Sequence, residues 1–475
     1  MKGLLSVILA CVYSISVSQD YSLDRKLGEE NSKLVEQEIG IYKHDSLQWL
    51  INSVGQKLVS RLKNKPFEFH FYLADSEEPN AFALPGGYIY VTRGILPLLQ
   101  TEDELAGVMA HEIIHVMQRH SVKQIQKSML TGILKLPGNL INSVTGTQLG
   151  NILNTPIGLV TGSYIAKYSR GHESESDKFG IQLAASAGYK TDALADALER
   201  LAKEVSVLTG EAEKRSYFSD HPYTPSRIAA IRNSAGMYKP VNPAPVVHSQ
   251  QQFTRIFNGL IFGTNPAQGV FIDSLFVQPD LDFVCITPSR WTTVNKPSVV
   301  AAMQEKGESI VALQLTDNSK SPKQQADELL EKVKKQESIT VLQATDTVIN
   351  SLPAHIVRLK SVNKNNIAIM ELIWLTYNKN IYQLTGIALP AHQKLMHQSL
   401  TSFKAATVQQ RHLVKLYQVR VIAAHQNETL SDVSKRTDNR LVPELTEIFN
   451  NVKAEQALPK GSLIKVVTVE AYKPR

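Results

Sequence analysis

A chain of 475 residues is too long for one compact core, so two to four domains are expected. With 43% hydrophobic and 20% charged residues it has the composition of a soluble globular protein, which excludes a wholly disordered or polytopic membrane chain. The net charge of +7 is mild for this length, and no Lys/Arg run with interleaved aromatics is present, which argues against a nucleic-acid partner.

In chain order, Met1-Lys2 precedes the apolar run "GLLSVILACVYSISV", and small residues follow at Ser16–Ser18. This is the pattern of a secretory signal peptide over residues 1–18, too short to span a bilayer. It predicts an exported chain, periplasmic or outer-membrane-associated in a bacterium. "ILAC" offers a competing lipoprotein box at Cys11, but the apolar run continues past it. Removal of the leader leaves Cys285 as the one thiol, so no internal disulfide is possible. Cys285 lies in a strand-like run and is expected buried and inert.

"FEFHFYLA" (67–74) and "YIYVTRG" (88–94) are rich in β-formers, with "PGG" before the second. Thr101 and Glu104 then stand at capping-box spacing, which predicts a helix from about Thr101 through "LAGVMAHEIIHVMQRH". Leu105, Ala106, Met109, Ala110, Ile113, Val116 and Met117 fall on one apolar stripe. His111 and His115, four residues apart, share a face roughly opposite that stripe. Two imidazoles at this spacing, with Glu112 beside them, suit a divalent metal and the activation of its water. His120 points away on this helix and is expected to be surface or capping.

Two histidines leave a tetrahedral metal short of one protein ligand. No glycine stands at Gln118 and no histidine at Ser121, so an extended three-histidine motif fails. From Val116 to His172 there is no Asp or Glu, and the first carboxylate is Glu173 in "SRGHESESDKFGIQLAASAGY". That stretch predicts a second helix with Glu173, Asp177, Gly180 and Ala184 on one face, the small residues permitting close approach. Glu173 is the expected third ligand and Asp177 the partner of a ligand histidine's outer nitrogen. Glu175 is read as solvated; His172 competes as a ligand, but its side diverges from the small-residue face.

His-Glu-x-x-His followed by Glu-x-x-x-Asp resembles the gluzincin metallopeptidases of the HtpX, CAAX-prenyl-protease and mitochondrial inner-membrane group, the family forty-eight metallopeptidases, and within it the soluble BepA-like envelope members. "DSEEPNAFALPGGYIYVTRGIL" (75–96) resembles the strand pair and Asn-Ala-Phe-Ala turn before the active helix, and "SDHPYTPSRIAAIR" (219–232) the family's His-Pro…Arg segment. The resemblance implies one Zn2+ held by His111, His115 and Glu173, with Glu112 polarising the zinc-bound water. It implies a cleft-side strand that pairs with extended substrate, with Asn80 and Ala81 nearby; a purely structural turn is the alternative for Asn80. His221 is expected either to plug the open zinc position or to assist catalysis, and Arg227 to steady an oxyanion, with a plain helix cap as the alternative.

The uncharged stretch 136–166, broken by Pro137 and Pro156 and flanked by basic residues, is read as helical cover of the cleft or as peripheral membrane contact. "VNPAPVVHSQQ" (241–251) is expected to end a peptidase domain of residues 19–245. Residues 252–407 read as an α+β domain with strands in "DFVCITP", "SIVALQLT", "AHIVRLKS", "AIMELIWLTY" and "IYQLTGIAL" and a helix in "SPKQQADELLEKVKKQ"; it resembles small Mog-like or PsbP-like domains. Residues 415–475 resemble a LysM-like βααβ unit, implying peptidoglycan contact, although Asn427-Glu428 replaces the usual Gly-Asp.

The expected fold class is therefore α+β: a mainly helical gluzincin domain with a small sheet, an α+β domain, and the LysM-like unit. The expected function is a zinc endopeptidase acting on unfolded or misassembled envelope proteins. A non-catalytic, chaperone-like envelope binder with structural zinc is the alternative.

Overall fold

A computed structural model describes residues 20–130, 168–209, 217–219, 221–222, 225–241, 245–305, 307–363 and 366–474. The expected leader (residues 1–18), with Cys11, and the stretch 136–166 lie outside the described residues. The first half contains helices α1 (Ser22–Glu38) and α2 (Asp45–Val59), strands β1 (His70–Ala74), β2 (Ala81–Leu84) and β3 (Tyr88–Thr92), and helices α3 (Glu102–Met117), α4 (His120–Leu130), α5 (Arg170–Ser186), α6 (Ala193–Thr209), α7 (Pro225–Ala235) and α8 (Gln250–Ile256).

The three strands form one sheet in the order β1-β3-β2, with β3 parallel to β1 and antiparallel to β2. Three residues of the expected Asn-Ala-Phe-Ala turn, Ala81 to Ala83, belong with Leu84 to strand β2: all four are buried and pair with Tyr88–Val91. The reversal is made by Gly86 and Gly87, at φ 78° and 103°, where a side chain would be strained.

Thr101 caps α3 by accepting from Glu104 N. Glu104 does not return the bond; its carboxylate accepts from Gln100 N at 2.8 Å and from Arg200 at 2.6 Å. The amphipathic expectation for α3 gives way here, because every residue from Leu105 to Val116 is buried. The helix runs through the middle of the core, so its polar residues are buried and must be partnered. On one side α5 crosses closely: a Cβ added at Gly180 would lie 3.2 Å from the His111 backbone.

The second half adds β4 (Val270–Ile272), β5 (Leu275–Gln278), β6 (Phe283–Ile286), β7 (Thr292–Lys296), β8 (Val299–Met303), β9 (Ile310–Leu315), α9 (Pro322–Val333), β10 (Ile339–Ile349), β11 (Leu352–Asn363), β12 (Asn366–Tyr377), β13 (Asn380–Ala388), α10 (Gln393–Leu400), β14 (Lys404–Ala405) and α11 (Val408–His412). Seven strands form an antiparallel sheet, β10-β11-β12-β13-β9-β8-β7. Helix α9 covers one face through Ala326, Leu329 and Val333, while α10 and the small sheet β14-β6-β5-β4 cover the other. Burial from both sides explains near-continuous apolar strands such as "AIMELIWLTY". Cys285 is buried here without a disulfide, its thiol pushed up to about 12 by burial.

The tail follows a βααβ order: β15 (Lys415–Ala423), α12 (Leu430–Arg436), α13 (Pro443–Asn450) and β16 (Leu463–Ala471), the two strands antiparallel. Thr429 and Asp432 form a reciprocal capping box on α12, and Asn451, at φ 51°, ends α13. The tail is not a separate bead. Val419, Leu441, Leu445, Phe449 and Val467 share one apolar core with α3, as do Phe253, Phe257, Leu260 and Ile261, so the expected break at 241–251 does not interrupt that core.

Lys465 fastens the tail: its buried ammonium donates to Pro97 O at 2.6 Å and Leu99 O at 3.1 Å, just ahead of the α3 cap. Burial, reinforced by Arg200 and opposed by Glu104, pushes it down to about 7. An unfolded lysine titrates near about 10.4, so between these values the unfolded chain holds a proton the native chain has released, and stability rises with pH. From pH 7 to pH 9 the wild type should gain about 2 kcal/mol relative to Lys465→Met, read from denaturant midpoints. A difference between the two proteins that stays flat over this range refutes it.

Candidate metal centre

The α3–α5 crossing brings together side chains far apart in sequence. His111 Nε2 lies 2.9 Å from His115 Nε2 and 3.3 Å from His221 Nδ1. Glu173 Oε1 lies 3.4 Å from His115 Nε2 and 3.1 Å from His221 Nδ1, and its Oε2 lies 3.6 Å from His111 Nε2. All four residues are buried and offer ligand atoms within 4.8 Å of one another. Tetrahedral zinc with bonds of about 2.0–2.1 Å sets its ligand atoms roughly 3.3 Å apart, so the set fits. Three imidazoles and one carboxylate do not suit calcium or magnesium, which prefer oxygen.

Asp177, one turn after Glu173, places Oδ1 2.9 Å from His111 Nδ1. Arg227 from α7 clamps both acids: Nε and Nη2 donate to Asp177 at 2.8 Å each, and Nη1 lies 2.8 Å from Glu173 Oε2. The guanidinium expected to meet an oxyanion is therefore engaged behind the ligands, because two buried carboxylates need a countercharge. Burial opposes the charge of Asp177, but Arg227 holds its carboxyl below the usual range. Burial likewise opposes Glu173, which His221 and His115 nonetheless keep ionised, well below the usual range.

His120 is the clearest departure from the sequence reading. It is fully buried, with Nδ1 3.0 Å from His115 Nδ1 and Nε2 3.1 Å from Glu175 Oε2. Helix α3 ends before it, and Arg119 takes the left-handed φ of 56°, so the chain turns back and the wheel no longer applies. An Arg119–Asp24 ion pair, its carboxylate buried in α1, holds that turn. Glu175 is half-buried rather than solvated, and His172 stacks on His120 at 4.3 Å instead of joining the ligand set. Burial pushes His120 down to about 4, against the pull of Glu175.

Glu112 is wholly buried beside the four donors. Its Oε1 accepts from Tyr217 OH at 3.4 Å and lies 3.5 Å from His221 Nε2, while Oε2 has no hydrogen-bond partner among the described residues. Burial raises its carboxyl above the usual range, with His221 and His111 opposing. His221 N donates to Tyr217 O at 2.9 Å, a one-turn closure that lays its ring on Tyr217, with centroids 4.2 Å apart. Burial works against a charge on His221, but Glu173 and Glu112 outweigh it and raise its pKa. Sequence reading missed Tyr217; its only signal was an aromatic residue four before His221.

Asn80 and Ala81 are buried, and their described bonds are made to each other and to strand β3. Asn80 Oδ1 accepts from Ala81 N at 2.8 Å, and Asn80 N donates to Thr92 Oγ1 at 2.9 Å. Their link to the site runs through Pro79, whose carbonyl accepts from Tyr217 N at 3.0 Å.

Two histidines one turn apart, a glutamate between them and a carboxylate from a second helix define the gluzincin class of metallopeptidase site. Residues 46–235 match the model described as Peptidase family M48. A putative beta-barrel assembly-enhancing protease of Vibrio cholerae serotype O1 is 34% identical over 201 residues, 41% of this chain and 40% of the relative. The beta-barrel assembly-enhancing protease of Escherichia coli K12 is 32% identical, over 43% of this chain and 41% of the relative. Metalloprotease LoiP of the same strain is 27% identical, over 38% and 68%. The chain thus spans about two fifths of the length of the first two relatives. Among solved structures, cyanobacterial PsbP of Synechocystis is 12% identical over 29% of this chain and 95% of its own, at a TM-score of 0.23.

Proposed function

We infer that the protein is an exported zinc endopeptidase of the bacterial envelope, periplasmic or outer-membrane-associated, that cleaves exposed segments of misassembled proteins. The observation that carries the reading is the buried His111–His115–Glu173–His221 donor set with Glu112 at its side. Bound there, zinc supplies Lewis-acid activation of water for attack on a peptide carbonyl. Glu112 accepts a proton at its unpartnered Oε2 and delivers it to the leaving amine, a task suited by the raised carboxyl pKa. Asp177 fixes the outer nitrogen of His111, and Arg227 holds Asp177 and Glu173 in place. The relatives named beta-barrel assembly-enhancing proteases support assembling β-barrel proteins as the substrate class. For residues 415–475, the βααβ order supports peptidoglycan contact at the level of topology only.

His221 Nδ1, lying with the other three donors, favours a resting state shut by this side chain over one in which it waits in the cleft. The test is zinc content and casein hydrolysis of the full chain beside His221→Ala. Both should hold one zinc per chain, and His221→Ala should turn over casein several-fold faster. Slower turnover with zinc retained would assign His221 to the transition state; absence of zinc from the wild type removes the peptidase reading.

A further inference from the structure

His115 is held from behind by side chains that stand outside the His-Glu-x-x-His signature. Its Nδ1 faces His120 Nδ1 at 3.0 Å, and His120 Nε2 faces Glu175 Oε2 at 3.1 Å. Tyr168 stacks on the His115 ring, with centroids 3.7 Å apart, so the ring is fixed by a face as well as an edge. Assigning protons through this network leaves one consistent arrangement. A metal-facing Nε2 of His115 must present its lone pair, which puts the proton on Nδ1. That N–H donates to His120 Nδ1, which obliges His120 to carry its own proton on Nε2 and donate it to Glu175. The Ser176 hydroxyl, 3.4 Å from the same His120 Nδ1, adds only a long contact.

Resting on the zinc reading above, we propose that His120 and Glu175 are positioning residues that lock the tautomer and orientation of His115 as a zinc ligand, the counterpart of Asp177 on His111. The use of an imidazole as intermediary has a physical reason. A carboxylate placed directly on His115 would be a fourth buried acid beside Glu112, Glu173 and Asp177, the last two of which already share the single charge of Arg227. Routing the bond through neutral His120 moves the charge outwards to Glu175, which is only half-buried, its side chain 38% exposed.

The test uses the full chain and zinc alone, with affinity measured by competition against a zinc-buffering chelator and metal-free folding followed by circular dichroism. Glu175→Ala and His120→Ala should each weaken zinc about 10- to 100-fold. Glu175→Gln should recover most of the loss, because an amide oxygen still accepts from His120 Nε2. The double variant should bind no more weakly than His120→Ala, since Glu175 acts through His120. With cobalt in place of zinc, the visible ligand-field band should shift in the alanine variants and return towards wild type in Glu175→Gln. Zinc affinity of Glu175→Ala within twofold of wild type overturns the proposal, as does a double variant that loses the product of the two single effects. If His120→Ala fails to fold, the Glu175 pair alone decides by the same criteria. A wild type that binds no zinc overturns the peptidase reading itself, a result distinct from equal binding by wild type and variants.

Discussion

Glu112→Gln is expected to lower hydrolysis of unfolded casein by about a thousandfold or more while one zinc stays bound per chain. The amide has nearly the shape of the acid, and none of the four donor atoms belongs to residue 112. What disappears is a proton acceptor at a fully buried position, where burial has raised the carboxyl above its usual range. The substitution also removes a desolvated acid, so the fold should lose little, and Tyr217 OH retains an oxygen to donate to. Zinc stoichiometry and casein turnover on one preparation separate loss of chemistry from loss of metal. Turnover within tenfold of wild type, with zinc present, would leave Glu112 without its role. The same variant decides against the chaperone-like alternative, because a binder needs no acid at this position and would keep its function in cells.

Arg227→Met should be the most destabilising single change at the site. Asp177 and Glu173 are both buried, and Arg227 touches both within 2.8 Å, so methionine strands two carboxylates in a dry interior. Removing one member of a buried charge cluster costs about 3–5 kcal/mol. The metal-free variant should unfold at correspondingly lower denaturant, with early loss of amide protection in α3 and α5, and added zinc should restore part of the loss by neutralising Glu173. If Arg227 instead served an oxyanion, stability and zinc affinity would hold and only kcat would fall. Methionine roughly keeps the length of the side chain and removes only the charge and its donors, which keeps the two roles separable.

Much of this was legible in the residues. The α3 cap at Thr101, the spacing of His111 and His115, and the acid-free interval before Glu173 all depend on local chemistry or on counting, and the structure caps α3 at Thr101 and brings the two imidazoles and Glu173 together. Asp177 was legible because one helical turn separates it from Glu173. His120 was not, since a helical wheel assumes an unbroken helix and the reversal at Arg119 depends on Asp24, nearly a hundred residues earlier. The partners of Arg227 were not legible, because a sequence shows that a cation is present but not which acids surround it. The "AFAL" strand was hidden by its shortness: five residues, Asn80 to Leu84, between a proline and "PGG" leave room for a turn until β3 lies alongside.

The sequence by itself determined the chemistry on offer: two imidazoles and a base on one helix, a carboxylate on the next, and two cysteines, Cys11 and Cys285. It also determined the caps and the apolar periods that build the helices and strands, since these depend on neighbours within a turn or two. Only the tertiary structure decided that His221 Nδ1 stands among the other three donors, one of the two places the sequence left open for it, that His120 stands behind His115, and that the tail seals the core beneath α3 through Lys465. Each of these pairs residues that are brought together by a helix crossing, a reversed turn or a shared core. Such contacts are set by how buried surface and buried charge are satisfied across the whole molecule, which no local stretch of chain encodes.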